Sequence, residues 1–132
     1  MSVKKICLIE DDLAIRLVVG EILNASGFEV VSFKNGALAW SSLSKGYRPD
    51  LIILDLMMPV MNGRQFRAMQ IKSPSLKDIP VMIMTAADSS LSSDVVFEGV
   101  RVVNKPVRIE NILAKVKAEL SSGSLSGGVS HH

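Results

Sequence analysis

Five short runs of branched apolar residues, at 5–9, 28–33, 51–55, 80–84 and 100–103, alternate with stretches of helical spacing. This alternation decides most of what the chain can fold into. Runs of four to six such residues read as strands. Leu51-Ile-Ile-Leu is apolar at every position, as a strand must be when helices cover both of its faces. A chain that alternates strand and helix five times in this way predicts an α/β fold, a doubly wound five-stranded parallel sheet with helices on both faces. Ligands of such sheets bind beyond the carboxyl ends of the strands, where the strand order reverses.

The clearest helical stretch is 13–26, in which Ile15, Val18, Val19 and Ile22 fall at i, i+3, i+4 and i+7. Asp12 stands at the N-cap position and Gly27 where the helix stops. Asn35-Gly36 opens a second helix to about Lys45, Asn62-Gly63 a third to about Lys72, and Pro106 a fifth ending near Ser121. The fourth stretch, 88–97, is Ser-rich with a small apolar patch, and predicts a short or mobile helix. The 132 residues fit one domain, 1–121, followed by a Ser- and Gly-rich segment, 122–132, that reads as a flexible tail, linker or tag remnant ending in two histidines.

Composition mainly excludes. A net charge of +2 gives no bulk attraction to nucleic acid, and four Phe, one Tyr and one Trp are too few for base-stacking platforms. One cysteine cannot form an internal bridge, so Cys7 is expected reduced and packed in the first strand. The first apolar run is too short for a signal-peptide core, and the longest, at 51–61, contains Asp55 and Pro59 and falls short of the ~20 residues of a membrane span. A cytoplasmic protein is expected.

The strand ends carry the chemistry. The first run ends in Glu10-Asp11-Asp12, the third in Asp55, the fourth in Thr85 and the fifth in Lys105. Carboxylates converging on one crevice repel one another unless a cation sits among them. Oxygen donors without His or Cys suit Mg²⁺. A lysine and a hydroxyl beside them offer a phosphoryl group the positive charge and hydrogen-bond donor its oxygens need. The set describes phosphoryl transfer to a carboxylate nucleophile.

These residues resemble a response-regulator receiver domain along almost the whole chain. Asp11-Asp12 with Arg16, the segment from Pro49 through Asp55 and Pro59 to Asn62-Gly63, the strand leading to Thr85-Ala86, and Lys105-Pro106 are similar to the family's four motifs in their order. The resemblance implies a flavodoxin-like fold with Asp55 as phosphoacceptor. It implies Mg²⁺ held by Asp12, Asp55 and the backbone carbonyl of Met57, with Asp11 acting through water. It also implies that Thr85 and Lys105 bind phosphoryl oxygens, that the Lys105-Pro106 bond is cis, and that the phosphodonor is a sensor histidine kinase, a histidine phosphotransfer protein or a small phosphodonor. Such a domain modifies itself at one aspartate and is not a turnover enzyme. With no output domain of its own expected after Ser121, output falls to an effector protein.

Taken singly, Asp11 and Asp12 are also an ordinary loop and cap, Thr85 an ordinary strand residue and Lys105 a loop lysine; a carboxylate closing a run as apolar as Leu51-Ile-Ile-Leu needs a partner. Asn62-Gly63 is assigned to structure alone, Trp40 to the core, and the methionines 57, 58, 61, 69, 82 and 84 to core or loop packing. Val102 stands where receivers commonly carry an aromatic switch residue, so a non-standard partner face on a monomer or weak dimer is expected. Met57 and Ala87 stand at the two positions that set phosphoryl lifetime in the family, and neither side chain can orient a water by hydrogen bonding, which predicts slow autodephosphorylation. The competing readings are a metal-dependent phosphohydrolase of small phosphates and a constitutive pseudo-receiver that binds partners.

Overall fold

The computed structural model describes residues 3–58, 60–86 and 97–129, with side chains to Ser121. The elements follow the order β1 (Lys5–Ile9), α1 (Leu13–Ala25), β2 (Glu29–Phe33), α2 (Gly36–Ser44), β3 (Leu51–Asp55), α3 (Gly63–Ile71), β4 (Val81–Thr85), β5 (Arg101–Asn104) and α4 (Ile109–Val129). All five strands lie in one sheet in the order β2-β1-β3-β4-β5, and every neighbouring pair is parallel. The direction of winding reverses between β1 and β3, which puts the ligand crevice at the ends of those two strands.

Period-two alternation of the strands divides the core into two layers. Cys7, Ile9, Ile52, Leu54 and Ile83 pack with Ala39 and Leu43 of α2 and Phe66 of α3. Ile6, Leu8, Ile53, Met82, Met84 and Val103 pack on the other face with Val19 and Leu23 of α1 and Ile112 and Val116 of α4. Trp40 lies half-buried against the first layer, edge-on to the Phe66 ring at 5.7 Å between centroids. Cys7 is fully buried, and burial pushes its thiol up to about 12.

The helix signals read in the sequence operate. Asp12 caps α1 by accepting from the Ile15 N–H, and Gly27 leaves the helix at a φ of +97°, a conformation that favours glycine. Asn62 and Gln65 form a reciprocal capping box at the start of α3.

Three details differ from expectation. Val18, placed on the buried stripe of α1, is 56% exposed, because Val19 and Leu23 take the inward positions and Val18 borders a groove beside Pro106 and Val107. β2, β4 and β5 each start one residue later than the apolar runs suggest, and β4 and β5 end in Thr85 and Asn104, which pair. The last helix starts at Ile109, not at Pro106, and its backbone stays helical past Ser121 to Val129. The expected fourth helix at 88–97 lies, apart from Phe97, outside the described residues, as do Pro59, Ala87 and the two histidines. Among the described residues no helix is long and apolar enough to cross a membrane.

Candidate functional site

β1 and β3 each carry their ladder to a carboxylate. The Glu10 N–H still donates to the Phe33 carbonyl at 3.0 Å, so Glu10 leaves the sheet at the last bonded position and its side chain is fully buried. Asp55 closes β3 in register with Met84 of β4 and is 2% exposed. Asp11, one residue beyond Glu10, is exposed at the mouth. One carboxylate oxygen from each of Glu10, Asp11 and Asp55 lies within 4.8 Å of the others.

Lys105 enters from the end of β5. Its N–H donates to the Thr85 carbonyl at 2.9 Å, fixing the strand end, and its bond to Pro106 is cis, as the resemblance implies. Its Nζ lies 2.9 Å from Glu10 Oε1 and 3.4 Å from Asp55 Oδ1. The nearer contact is an ion pair off the hydrogen-bonding direction, since Glu10 Oε1 is buried without a directed hydrogen-bond partner. Glu10 Oε2 accepts from the Asp12 N–H at 3.0 Å, and Asp55 Oδ1 accepts from the Met57 N–H at 3.2 Å. Thr85 is fully buried at the end of β4.

Electrostatics follow from this crowding. Burial first, then hydrogen bonding to Asp11 and Glu10 and the Glu10 charge, pushes Asp55 up to about 7, with Lys105 pulling the other way. Burial disfavours the Lys105 charge, but Glu10 and Asp55 outweigh it and hold its pKa above the usual value. The three carboxylates thus carry more negative charge than one lysine offsets. A buried oxygen without a directed partner, oxygen-only donors and surplus negative charge fit a hard divalent cation such as Mg²⁺.

Of the residues singled out in the sequence, Asp11, Asp55 and Lys105 come together, and Thr85 ends the neighbouring strand. Asp12, expected as a metal ligand, is not in the three-carboxylate group. Its Oδ1 accepts from the Ile15 N–H at 3.0 Å as the α1 cap. Glu10, two residues earlier, stands in its place. The signal for Glu10 was available, because it follows Ile9 directly as Asp55 follows Leu54. Met57 contributes its backbone beside Asp55, while its side chain is 68% exposed.

The loop after Asp55 is held from below. A Cβ on Gly63 would lie 2.8 Å from the Asp55 carbonyl oxygen and 2.9 Å from Leu56 Cα, and the Gly63 N–H donates to the Leu56 carbonyl at 2.9 Å. Only glycine admits α3 this close to the strand end. The structural assignment of Asn62-Gly63 stands, and Gly63 also fixes the turn that follows Asp55.

Comparison with known proteins agrees with this geometry. The sequence matches the family model described as response regulator receiver domain over residues 6–117. It is 30% identical over 130 residues to the transcriptional regulatory protein CpxR homolog of Haemophilus influenzae, covering 96% of this chain and 55% of that one. It is 25% identical over 119 residues to the polar-differentiation response regulator DivK of Brucella anthropi, covering 89% and 96%. The chain therefore spans about half the length of the first relative and nearly all of the second. Among solved structures it resembles the response regulator protein TrrA of Thermotoga maritima in complex with Mg²⁺ and BeF, with a TM-score of 0.76, 29% identity and coverage of 87% of this chain and 97% of that one.

Proposed function

The chain belongs to the response regulator receiver domain family, a phosphoacceptor module of two-component signalling, and we propose that Asp55 is its phosphoacceptor. The observation that carries this reading is the Lys105 ammonium 3.4 Å from the buried Asp55 Oδ1, inside a group of three carboxylates. An Asp55 carboxylate oxygen attacks the phosphorus of a phosphohistidine, the P–N bond breaks, the imidazole leaves and an acyl phosphate forms at Asp55. Lys105 exchanges its contact with Asp55 for a phosphoryl oxygen, and the Thr85 hydroxyl donates to another.

Glu10, Asp11 and Asp55, with the Met57 backbone, would hold Mg²⁺. When bound, the ion would supply positive charge to the phosphoryl oxygens and offset the burial and carboxylate crowding that raise the Asp55 pKa. Support comes from the donor set and from the Mg²⁺–BeF complex of the Thermotoga relative.

The phosphodonor is a sensor histidine kinase or a phosphotransfer protein. Beside Lys105 an apolar groove runs between α1 and the loop before α4, lined by Ala14, Ile15, Val18, Val19, Pro106 and Val107. This groove offers the helix that carries the donor histidine a seat beside Lys105. Residues 1–121 form the receiver unit, which acts in the cytoplasm, turns over no substrate and passes its signal to an effector protein. Acetyl phosphate with Mg²⁺ followed by intact mass measurement tests the assignment. A single phosphoryl adduct lost in Asp55→Asn is expected, and repeated phosphate release without an adduct would replace this reading with a hydrolase.

A further inference from the structure

Arg16 lies one turn into α1, and its Nη1 turns back to the end of β1. It donates to the Glu10 carbonyl at 2.8 Å and reaches the Asp11 carbonyl at 3.4 Å. Among the described residues no carboxylate forms an ion pair with it, so its visible work is on the backbone. The Glu10 carbonyl belongs to the peptide plane before the Asp11 Cα, and the Asp11 carbonyl to the plane after it. One guanidinium nitrogen therefore contacts the peptide planes on both sides of Asp11.

That matters because Asp11 is the exposed member of the carboxylate group. Glu10 and Asp55 are walled in by the sheet, by Lys105 and by backbone N–H donors. Packing does not wall in the side chain of Asp11; beyond its contact with Asp55, its direction is inherited from the peptide planes that Arg16 clamps. The clamp closes a short circuit: the Asp12 carbonyl accepts the Arg16 N–H at 2.9 Å and Asp12 caps the same helix, which leaves the loop little freedom once α1 has formed.

We propose that Arg16 is a positioning residue for the metal site, holding Asp11 at the angle from which its carboxylate meets a divalent cation. The inference rests on the Mg²⁺ reading above and concerns binding, not the phosphoryl step. Removing partners that orient metal ligands costs roughly 10- to 100-fold in metal affinity in other sites.

The test is calorimetric titration of the full chain with Mg²⁺ alone, without phosphodonor. Arg16→Met is expected to bind Mg²⁺ about tenfold or more weakly than the wild type, and Arg16→Lys, which keeps a donor on a shorter stem, to fall between. In an Asp11→Asn background Arg16→Met should cost no more than about twofold further, because the two residues act as one unit. Melting of each metal-free variant separates a folding defect from a lost site, and weakened binding by Arg16→Lys at an unchanged melting temperature supports positioning. Wild-type affinity in Arg16→Met, or the same loss with and without Asp11, overturns the proposal. A wild-type chain that does not bind Mg²⁺ overturns the metal reading itself.

Discussion

Lys105 Nζ stands nearer to Glu10, at 2.9 Å, than to Asp55, at 3.4 Å. The lysine of this site is therefore shared, and its tighter partner is Glu10, not the proposed phosphoacceptor. Replacing Lys105 by Met leaves Glu10 and Asp55 buried without a cation. A loss of about 3 kcal/mol is expected at neutral pH, the scale for stranding a buried charge, and millimolar Mg²⁺ should restore much of it. Urea unfolding with and without Mg²⁺ measures both effects; equal stability of variant and wild type without metal would count against the shared ion pair.

The pKa of Asp55 gives the metal-free protein a pH dependence. With the folded value raised from 3.8 to about 7, the native state holds a proton that the unfolded chain releases, so stability is full below about pH 4 and falls as pH rises through about 7. At ~1.4 kcal/mol per unit the fall is on the order of 4 kcal/mol. Asp55→Asn, which cannot titrate, should flatten it. Unfolding free energies between pH 4 and 8 in a chelator decide the matter, and an equal slope in the variant would rule Asp55 out as its source.

Gly63→Ala drives a methyl group onto backbone atoms that cannot swing aside. A cost of about 1–3 kcal/mol is expected, together with slower phosphorylation by acetyl phosphate, since the clash is with the carbonyl of Asp55 itself. Thermal melts and adduct formation rates are the readouts. A melting temperature equal to the wild type would mean that α3 can retreat from the strand end.

The Met57 side chain is exposed and cannot orient a water by hydrogen bonding. Phospho-Asp55 should decay slowly, and Met57→Asn, which supplies an amide, should shorten its life several-fold. Timed intact-mass measurement after removal of phosphodonor follows the decay. Ala87, the other residue on which this expectation rests, lies outside the described residues.

Val18→Glu places a charge in the groove beside Pro106 while leaving the carboxylate group intact. Transfer from a phosphotransfer protein should drop at least about tenfold, the size of a lost apolar contact plus a desolvated charge. Labelling by acetyl phosphate should not change. An equal fall in both reactions would place the defect in the site, not in docking.

How far the sequence led can be judged from individual residues. Asp55, Thr85 and Lys105 were legible because a polar residue ending an apolar strand has one place to go. Asp11 and Asp12 were harder: three acidic residues in a row do not reveal where the ladder ends, and the bond from the Glu10 N–H to Phe33 shifts the inward-facing pair one residue earlier than expected. Val18 misled because a helical stripe gives a face but not its width, and α1 buries only its centre. The missing aromatic at Val102 was plain, yet its surroundings were not: Lys115 donates to the Val102 carbonyl at 2.7 Å, and Arg101 pairs with Glu119 at 3.1 Å. Both link strand to helix across a distance that local patterning does not register.

The burial of Cys7 reaches beyond packing. Its thiol, pushed up to about 12 and shut inside the sheet, yields almost no thiolate near neutrality, and the chain has no other cysteine. Cys7 is therefore expected to stay unlabelled by maleimides and alkylating reagents while the chain is folded. A single cysteine introduced at a solvent-facing position such as Leu17 or Leu38 would carry a fluorophore or spin label alone, so movements of α1 and α2 on phosphorylation can be followed without first removing a native residue.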